Sequence, residues 1–137
     1  MSFVDSAQMP MLGLGRRFNP ASDFSKTAFV NEDMALYDLF GHHLRTNRAI
    51  IDGVTFTGCR IEGPAIALIL EGTRFDTTNF GESKGDVANL VLRPTGAMAI
   101  GTIPLRNCTF IGCEFYMLGF TGNESVVEDL LMIGKEA

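Results

Sequence analysis

Residues 103–122 read IPLRN-CTFIG-CEFYM-LGFTG when they are divided into blocks of five, and each block has one large apolar side chain at its centre. The same spacing occurs in two earlier stretches, VTFTG-CRIEG-PAIAL (residues 54–68) and TRFDT-TNFGE (residues 73–82). Neither the period of a helix nor that of a strand fits these stretches, so the main prediction is a chain that turns every five residues. The large apolar residues form three ladders: Ile51, Phe56, Ile61 and Ile66; Leu70, Phe75 and Phe80; and Ile100, Leu105, Phe110, Phe115 and Phe120.

Smaller residues accompany these ladders at fixed positions. Two residues before several of the large side chains stands a small one, and we expect the two to fill one wall of a core. The small residues are Val54, Cys59, Thr78, Cys108 and Cys113. Between the blocks lie residues that accept the backbone of a tight corner, namely Gly58, Gly63, Thr77, Asn107 and Gly112.

Over about residues 49–122 this pattern resembles the pentapeptide-repeat family. In that family the large residue at the centre of the pentad and the small residue two positions before it point into a right-handed, four-sided β-helix. The resemblance therefore implies a β-helix here. It also implies one function, because some members of the family imitate duplex DNA and inhibit topoisomerases.

Two longer apolar runs, residues 65–70 and 87–92, favour a hybrid coil with two short sides and one longer strand. The predicted fold class is mainly β: a short right-handed parallel β-helix, or solenoid, of about three to four coils. In this winding Phe56 lies beneath Phe75, 19 residues later, and Phe110 follows in a later coil. A β-sandwich or barrel is the alternative, since short strands with glycine-rich turns suit those folds too.

Both ends of the predicted β-helix need capping elements, because its end coils expose unpaired strand edges. Residues 31–46 predict a capping α-helix with Asn31 as its N-cap. Residues 123–137 predict a C-terminal cap or oligomerisation segment, in which Ser125 and Glu128 form a capping box. Residues 1–30 have no clear period, which is typical of an extended N-terminal arm.

The arm and the C-terminal segment carry more apolar residues than one covering face needs. We therefore expect a homo-oligomer, most simply a dimer, that uses these residues as its interface. The predicted interface residues are Met11, Leu12, Leu14, Phe18, Val127, Leu130 and Leu131.

The net charge of −5 and the absence of a basic run longer than Arg16-Arg17 argue against direct binding of nucleic acid. The chain has neither an apolar stretch long enough to span a bilayer nor a basic segment followed by an apolar one at its start. We therefore expect a cytoplasmic protein without membrane contact, in which the three cysteines are reduced.

Four groups of residues invite a chemical interpretation, and each has a simpler structural one. Cys59, Cys108 and Cys113 occupy the small inward position of the ladders, which favours core packing over a metal site. His42 and His43 are adjacent on a predicted helix and face different ways, so they do not chelate one ion together.

The remaining groups are also weak. Residues 13–17, GLGRR, are too short for a dinucleotide fingerprint. The acidic residues Asp76, Glu82 and Asp86 either bind a cation or keep a loop solvated, and solvation is the preferred interpretation. We predict no catalytic, cofactor-binding or metal-binding residues.

The leading functional hypothesis is a non-catalytic protein–protein interaction or scaffold module that associates with itself. One alternative is an acidic DNA mimic that inhibits a DNA-binding enzyme. Another is a small-molecule-binding or enzymatic β-helix, against which stands the lack of clustered carboxylates at equivalent positions.

Overall fold

The computed structural model describes residues 14–81, Val91 and 101–136, with side chains up to Met132. Nine strands and two helices occur in these residues. In chain order they are β1 (Ala28–Val30), β2 (Met34–Ala35), α1 (Leu36–Arg45), β3 (Ile51–Asp52), β4 (Thr55–Thr57), β5 (Arg60–Ile69), β6 (Arg74–Asp76), β7 (Ile103–Arg106), β8 (Thr109–Ile111), β9 (Glu114–Gly122) and α2 (Glu124–Glu136).

The strands form two sheets in which every described strand pair is parallel. The four-stranded sheet has the order β1-β4-β8-β6. The five-stranded sheet has the order β2-β5-β7-β3, with β9 paired to β5. The prediction of a mainly β chain built from parallel strands is therefore confirmed. Among the described helices, none has the length and apolar character needed to cross a bilayer.

The four-stranded sheet is held from inside by a stack of phenylalanine rings, one from each strand. Phe29 lies 5.6 Å from Phe56, Phe56 lies 4.7 Å from Phe110, and Phe110 lies 5.3 Å from Phe75, measured between ring centroids. Their planes are within 10° of parallel, and all but Phe75 are fully buried. Such stacked pairs add about 0.5–1.5 kcal/mol each to the burial of their surface.

This stacking order corrects the sequence prediction that Phe75 lies directly above Phe56. Phe110 is in register with Phe56 on one side and with Phe75 on the other. The strands β4 and β6 are therefore not neighbours: the later strand β8 separates the two earlier ones. The side chains alone do not distinguish the two orders, because Phe75 and Phe110 offer the same ring to Phe56.

The same interleaving continues in the five-stranded sheet. Ala67 of β5 lies between Ile103 of β7 and Phe120 of β9, and Phe120 also bridges to Val91. We refer to residues 101–122 as the inserted segment, and to residues 51–81 with Val91 as the receiving segment. Every strand pair described for the inserted segment is made with the receiving segment.

Left-handed backbone conformations mark the corners between strands. In one column of corners, φ is 53° at Asn31, 62° at Gly58, 59° at Gly112 and 48° at Thr77. Asn107 has φ 53° in the neighbouring column. Four of the five predicted corner residues are thus confirmed, since glycine and asparagine tolerate this region best.

The fifth, Gly63, serves a different purpose. A Cβ atom there would lie 1.9 Å from the carbonyl oxygen of Met117, so only glycine allows strands β5 and β9 to approach this closely. The pairing of β5 with β9 shifts register at this point, between Glu62 and Ala65. As a consequence Ala67 rather than Ile66 is fully buried, and the first ladder loses its last predicted member.

The helices begin at residues other than those predicted. Helix α1 starts at Leu36 rather than at residue 31, because Asn31 forms a left-handed corner and Ala35 occupies the N-cap. Helix α2 is capped by Asn123, whose Oδ1 accepts a hydrogen bond from the Val126 amide at 2.9 Å. Ser125 is therefore not the cap.

Candidate functional site

The three cysteines are buried and free, and they point inward at the position predicted for them. Each thiol donates a hydrogen bond to a carbonyl on the neighbouring strand: Cys59 to Phe29 at 3.4 Å, Cys108 to Ile51 at 3.4 Å and Cys113 to Phe56 at 3.3 Å. Thr78 uses its hydroxyl in the same way toward Phe110, at 3.4 Å. Of the five small inward residues, all but Val54 thus form hydrogen bonds to a neighbouring strand.

The surroundings of Cys59 and Cys108 keep these two thiols protonated. The neighbouring Cys59 thiol lowers the pKa of Cys113. The Cys113 thiol and burial raise the pKa of Cys59, and burial raises the pKa of Cys108. Because the thiolate is the form that reacts and binds metals, these two side chains are chemically quiet. In the described part of the chain, no group of three or more His, Cys, Asp or Glu side chains is placed to hold a metal ion.

A buried ion pair, which the sequence did not reveal, anchors the chain before β1. Asp33 is 1% exposed and accepts two hydrogen bonds from the Arg16 guanidinium, at 2.7 and 2.9 Å. The amides of Asn19 and Arg60 donate to the same carboxylate at 2.6 and 2.9 Å. Hydrogen bonding to Asp33 raises the pKa of Arg16. A buried carboxylate is tolerated when its lone pairs are filled in this way.

This ion pair changes the interpretation of the N-terminal arm. Arg16 also donates to the Gly58 carbonyl at 2.7 Å, and residues 28–30 form strand β1 of the four-stranded sheet. Within residues 14–30 the chain is therefore part of the packed structure rather than an extended arm. Residues 1–13 lie outside the described residues.

His43 is a second buried polar side chain that can change its protonation state. It is 4% exposed, and neither of its ring nitrogens has a hydrogen-bond partner. Burial lowers its pKa, and the positive charges of Arg48 and His42 lower it further. The ring is therefore held neutral at neutral pH. His42 meets it edge-on, with ring centroids 5.9 Å apart.

The structure describes five of the seven predicted interface residues. Met11 and Leu12 lie outside the described residues, while Leu14 and Phe18 are half-buried. Val127 and Leu130 are 1% and 5% exposed, because α2 packs this side against the core of its own chain, and Leu131 is partly buried against the same core. While α2 stays docked, Val127 and Leu130 do not reach a partner.

The outward side of the four-stranded sheet carries few charged side chains. We call it the outer face, and it consists of the side chains that flank the stacked rings. They are Ala28 and Val30, Thr55 and Thr57, Thr109 and Ile111, and Arg74 and Asp76. Val30 is 59% exposed and Ile111 37% exposed. Three of the four strands place no charged side chain on this face, and β6 places one of each sign.

No family model matches the chain, and neither the curated proteins nor the solved structures contain a match.

Proposed function

We propose that this protein is a non-catalytic interaction module that associates with itself through the outer face. The observation that carries the proposal is the exposure of Val30 and Ile111 on a face whose first three strands are uncharged. Interfaces between proteins are depleted of charge at their centre in the same way. A row of solvated carboxylates or lysines, the usual covering of a sheet that faces water, does not occur there.

The face is complementary to itself. A twofold axis along the direction in which the strands stack would place each strand against the same strand of a second copy, running the opposite way. The larger flanking residue then meets the smaller one: Val30 meets Ala28 of the second copy, and Ile111 meets its Thr109. On β6, Arg74 meets Asp76 of the second copy, so both charges are paired. No other partner is needed to explain the composition of the face.

The expected affinity is low. Four strands of three residues make a face of about 10 Å by 14–19 Å. Contacts of this size belong to weak, reversible complexes rather than obligate dimers. We therefore expect a dimer that forms in the upper micromolar range.

Sedimentation or light scattering over a concentration series tests this proposal. The substitution Ile111→Asp buries a charge in the contact and should shift the monomer–dimer midpoint to at least tenfold higher concentration. Leu44→Asp is the matched control, because Leu44 is an exposed apolar residue like Ile111 but lies on α1. A wild-type chain that is monomeric up to its solubility limit would disprove the proposal, as would equal effects of the two substitutions.

We also propose that the two sheets are walls of a short right-handed β-helix of the pentapeptide-repeat kind. The in-register stacking of the phenylalanine rings and the columns of left-handed corners support this winding. The right-handed sense follows the strong preference of parallel crossover connections. In this scheme each turn rises by two strand spacings, so that a second stretch of chain fits between its turns.

A further inference from the structure

The receiving segment is incomplete without the inserted one. Strands β4 and β6 are both partners of β8 and are not partners of each other. Two strand spacings, about 9.6 Å, therefore separate β4 from β6, which is too far for a backbone hydrogen bond. The gap between them needs a strand, and β8 supplies it.

Backbone hydrogen bonds tie the inserted segment on both sides. Toward β4, the Thr109 amide donates to Val54 at 3.0 Å and the Glu114 amide to Cys59 at 2.9 Å. Toward β6, the Arg74 amide donates to the Cys108 carbonyl at 2.8 Å, and the Gly112 amide to Asp76 at 2.8 Å. Removing the segment would leave backbone donors and acceptors unpaired on both flanks, which is unfavourable wherever they are buried.

Side chains make the fit specific. Asp52 accepts hydrogen bonds from Arg106 at 2.8 and 3.2 Å and from Asn107 at 3.2 Å. Phe110 fills the space between the rings of Phe56 and Phe75. The gap therefore selects this particular sequence, and the same sequence is present in every copy of the chain.

The inserted segment of the same molecule is favoured over that of a neighbouring molecule because it is covalently connected to the receiving segment. The connection from Val91 to Gly101 consists of nine residues, 92–100. A short tether corresponds to an effective concentration on the order of millimolar. The preference for the molecule's own segment is therefore limited, and it weakens as the protein concentration approaches that value.

We infer that a second copy of this chain can supply the inserted segment, so that two molecules exchange residues 101–136 while they fold. Helix α2 follows β9 directly and packs on it, so it travels with the segment. This exchange goes beyond the proposed function and does not require the outer face. The partner is defined by its sequence: it must present the strands β7, β8 and β9 in register.

The test uses two full-length variants, Asp52→Cys and Arg106→Cys. These residues are in-register neighbours; Asp52 is exposed and Arg106 is half-buried. The two proteins are mixed in denaturant with reductant and refolded together at about 1 mM, near the effective concentration of the tether. A short thiol-to-thiol cross-linker then joins neighbouring cysteines. Exchange predicts a cross-linked pair of unlike chains at several times the yield from proteins mixed after folding.

Two controls make the result decisive. In the first control, Leu44→Cys replaces Asp52→Cys in the mixture with Arg106→Cys. Its exposed thiol lies on α1, so the yield of this mixture measures cross-linking by random collision. A yield no higher than that of this control overturns the inference. In an Ile111→Asp background the exchanged pair should persist, which separates this result from failure of the outer-face contact.

A second variant removes the preference for a molecule's own segment. Val91 is three strand spacings from Ile103, about 14 Å. Deletion of residues 92–100 leaves three Cα-to-Cα steps between them, about 11 Å, which is too short. We expect folded dimers or longer assemblies and a loss of monomer. A folded monomer of this variant would contradict the inference, and if the variant does not fold, the co-refolding experiment decides.

Discussion

At the scale of single residues, the corner column shows where the backbone is under strain. Asn31, Gly58, Gly112 and Thr77 all have φ between 48° and 62°. Glycine and asparagine accept this region readily, whereas a β-branched side chain does so at a cost of about 1–2 kcal/mol. Thr77 is thus the one member of the column whose residue type opposes its conformation.

We predict that Thr77→Asn raises the free energy of unfolding by about 0.5–1 kcal/mol, because it relieves part of this cost. Urea denaturation followed by circular dichroism measures the change. Gly112→Thr is the reciprocal control: a Cβ atom there meets nothing within 4 Å, so its expected loss of about 1–2 kcal/mol is conformational alone. A destabilising effect of Thr77→Asn would contradict this account of the corner.

His43 predicts how stability depends on pH. Its pKa is lowered in the folded state, mainly by burial, so below pH 6.5 the unfolded chain takes up a proton that the folded chain resists. The protonation of His43 therefore does not lower the free energy of unfolding above pH 6.5. Below pH 6.5 it lowers the free energy of unfolding by at most about 1.4 kcal/mol per pH unit.

The variant His43→Leu should remove this slope and His42→Gln should keep it. Urea denaturation at pH 5, 6, 7 and 8 compares the two variants with the wild-type protein. The assignment fails if His43→Leu keeps the wild-type slope between pH 6.5 and 5.

At the scale of elements, strand β6 carries the charges that fix the orientation of the proposed dimer. Arg74 or Asp76 faces the opposite charge on a second copy only when the two β6 strands run in opposite directions. Either Arg74→Asp or Asp76→Arg brings like charges together, and each should weaken association about three- to tenfold, in line with exposed ion pairs. The double substitution restores both pairs and should recover wild-type association within about twofold. Sedimentation at low and high salt measures all four proteins, and no recovery in the double variant would exclude this orientation.

The element scale also shows what sequence reasoning finds and misses. The spacing of Phe56, Phe110 and Phe115 located the core, and Gly58 and Asn107 located corners, because these requirements are local. The start of α1 was misplaced because Asp33, which looks like part of a first helical turn, is taken by Arg16 seventeen residues earlier. Such a contact leaves no local signal.

At the scale of the whole molecule, the order of the stack was beyond sequence reasoning. Phe56 pairs with a residue 54 positions later, and not with the equivalent ring 19 positions later. Both candidates offer a phenylalanine at the centre of a block of five residues, so the local pattern favours neither. Pairing over such separations also predicts slow folding, which gives neighbouring molecules time to exchange segments.

The most direct test of the account is the strand order of the four-stranded sheet, which nuclear Overhauser effects between backbone protons of neighbouring strands report in solution. The account predicts contacts from Phe56 to Phe110 and from Phe110 to Phe75, at the roughly 4.8 Å spacing of adjacent strands. It also predicts that Phe56 and Phe75 give no direct backbone contact. A contact between Phe56 and Phe75, with Phe110 outside them, would contradict the interleaved order and the segment exchange inferred from it.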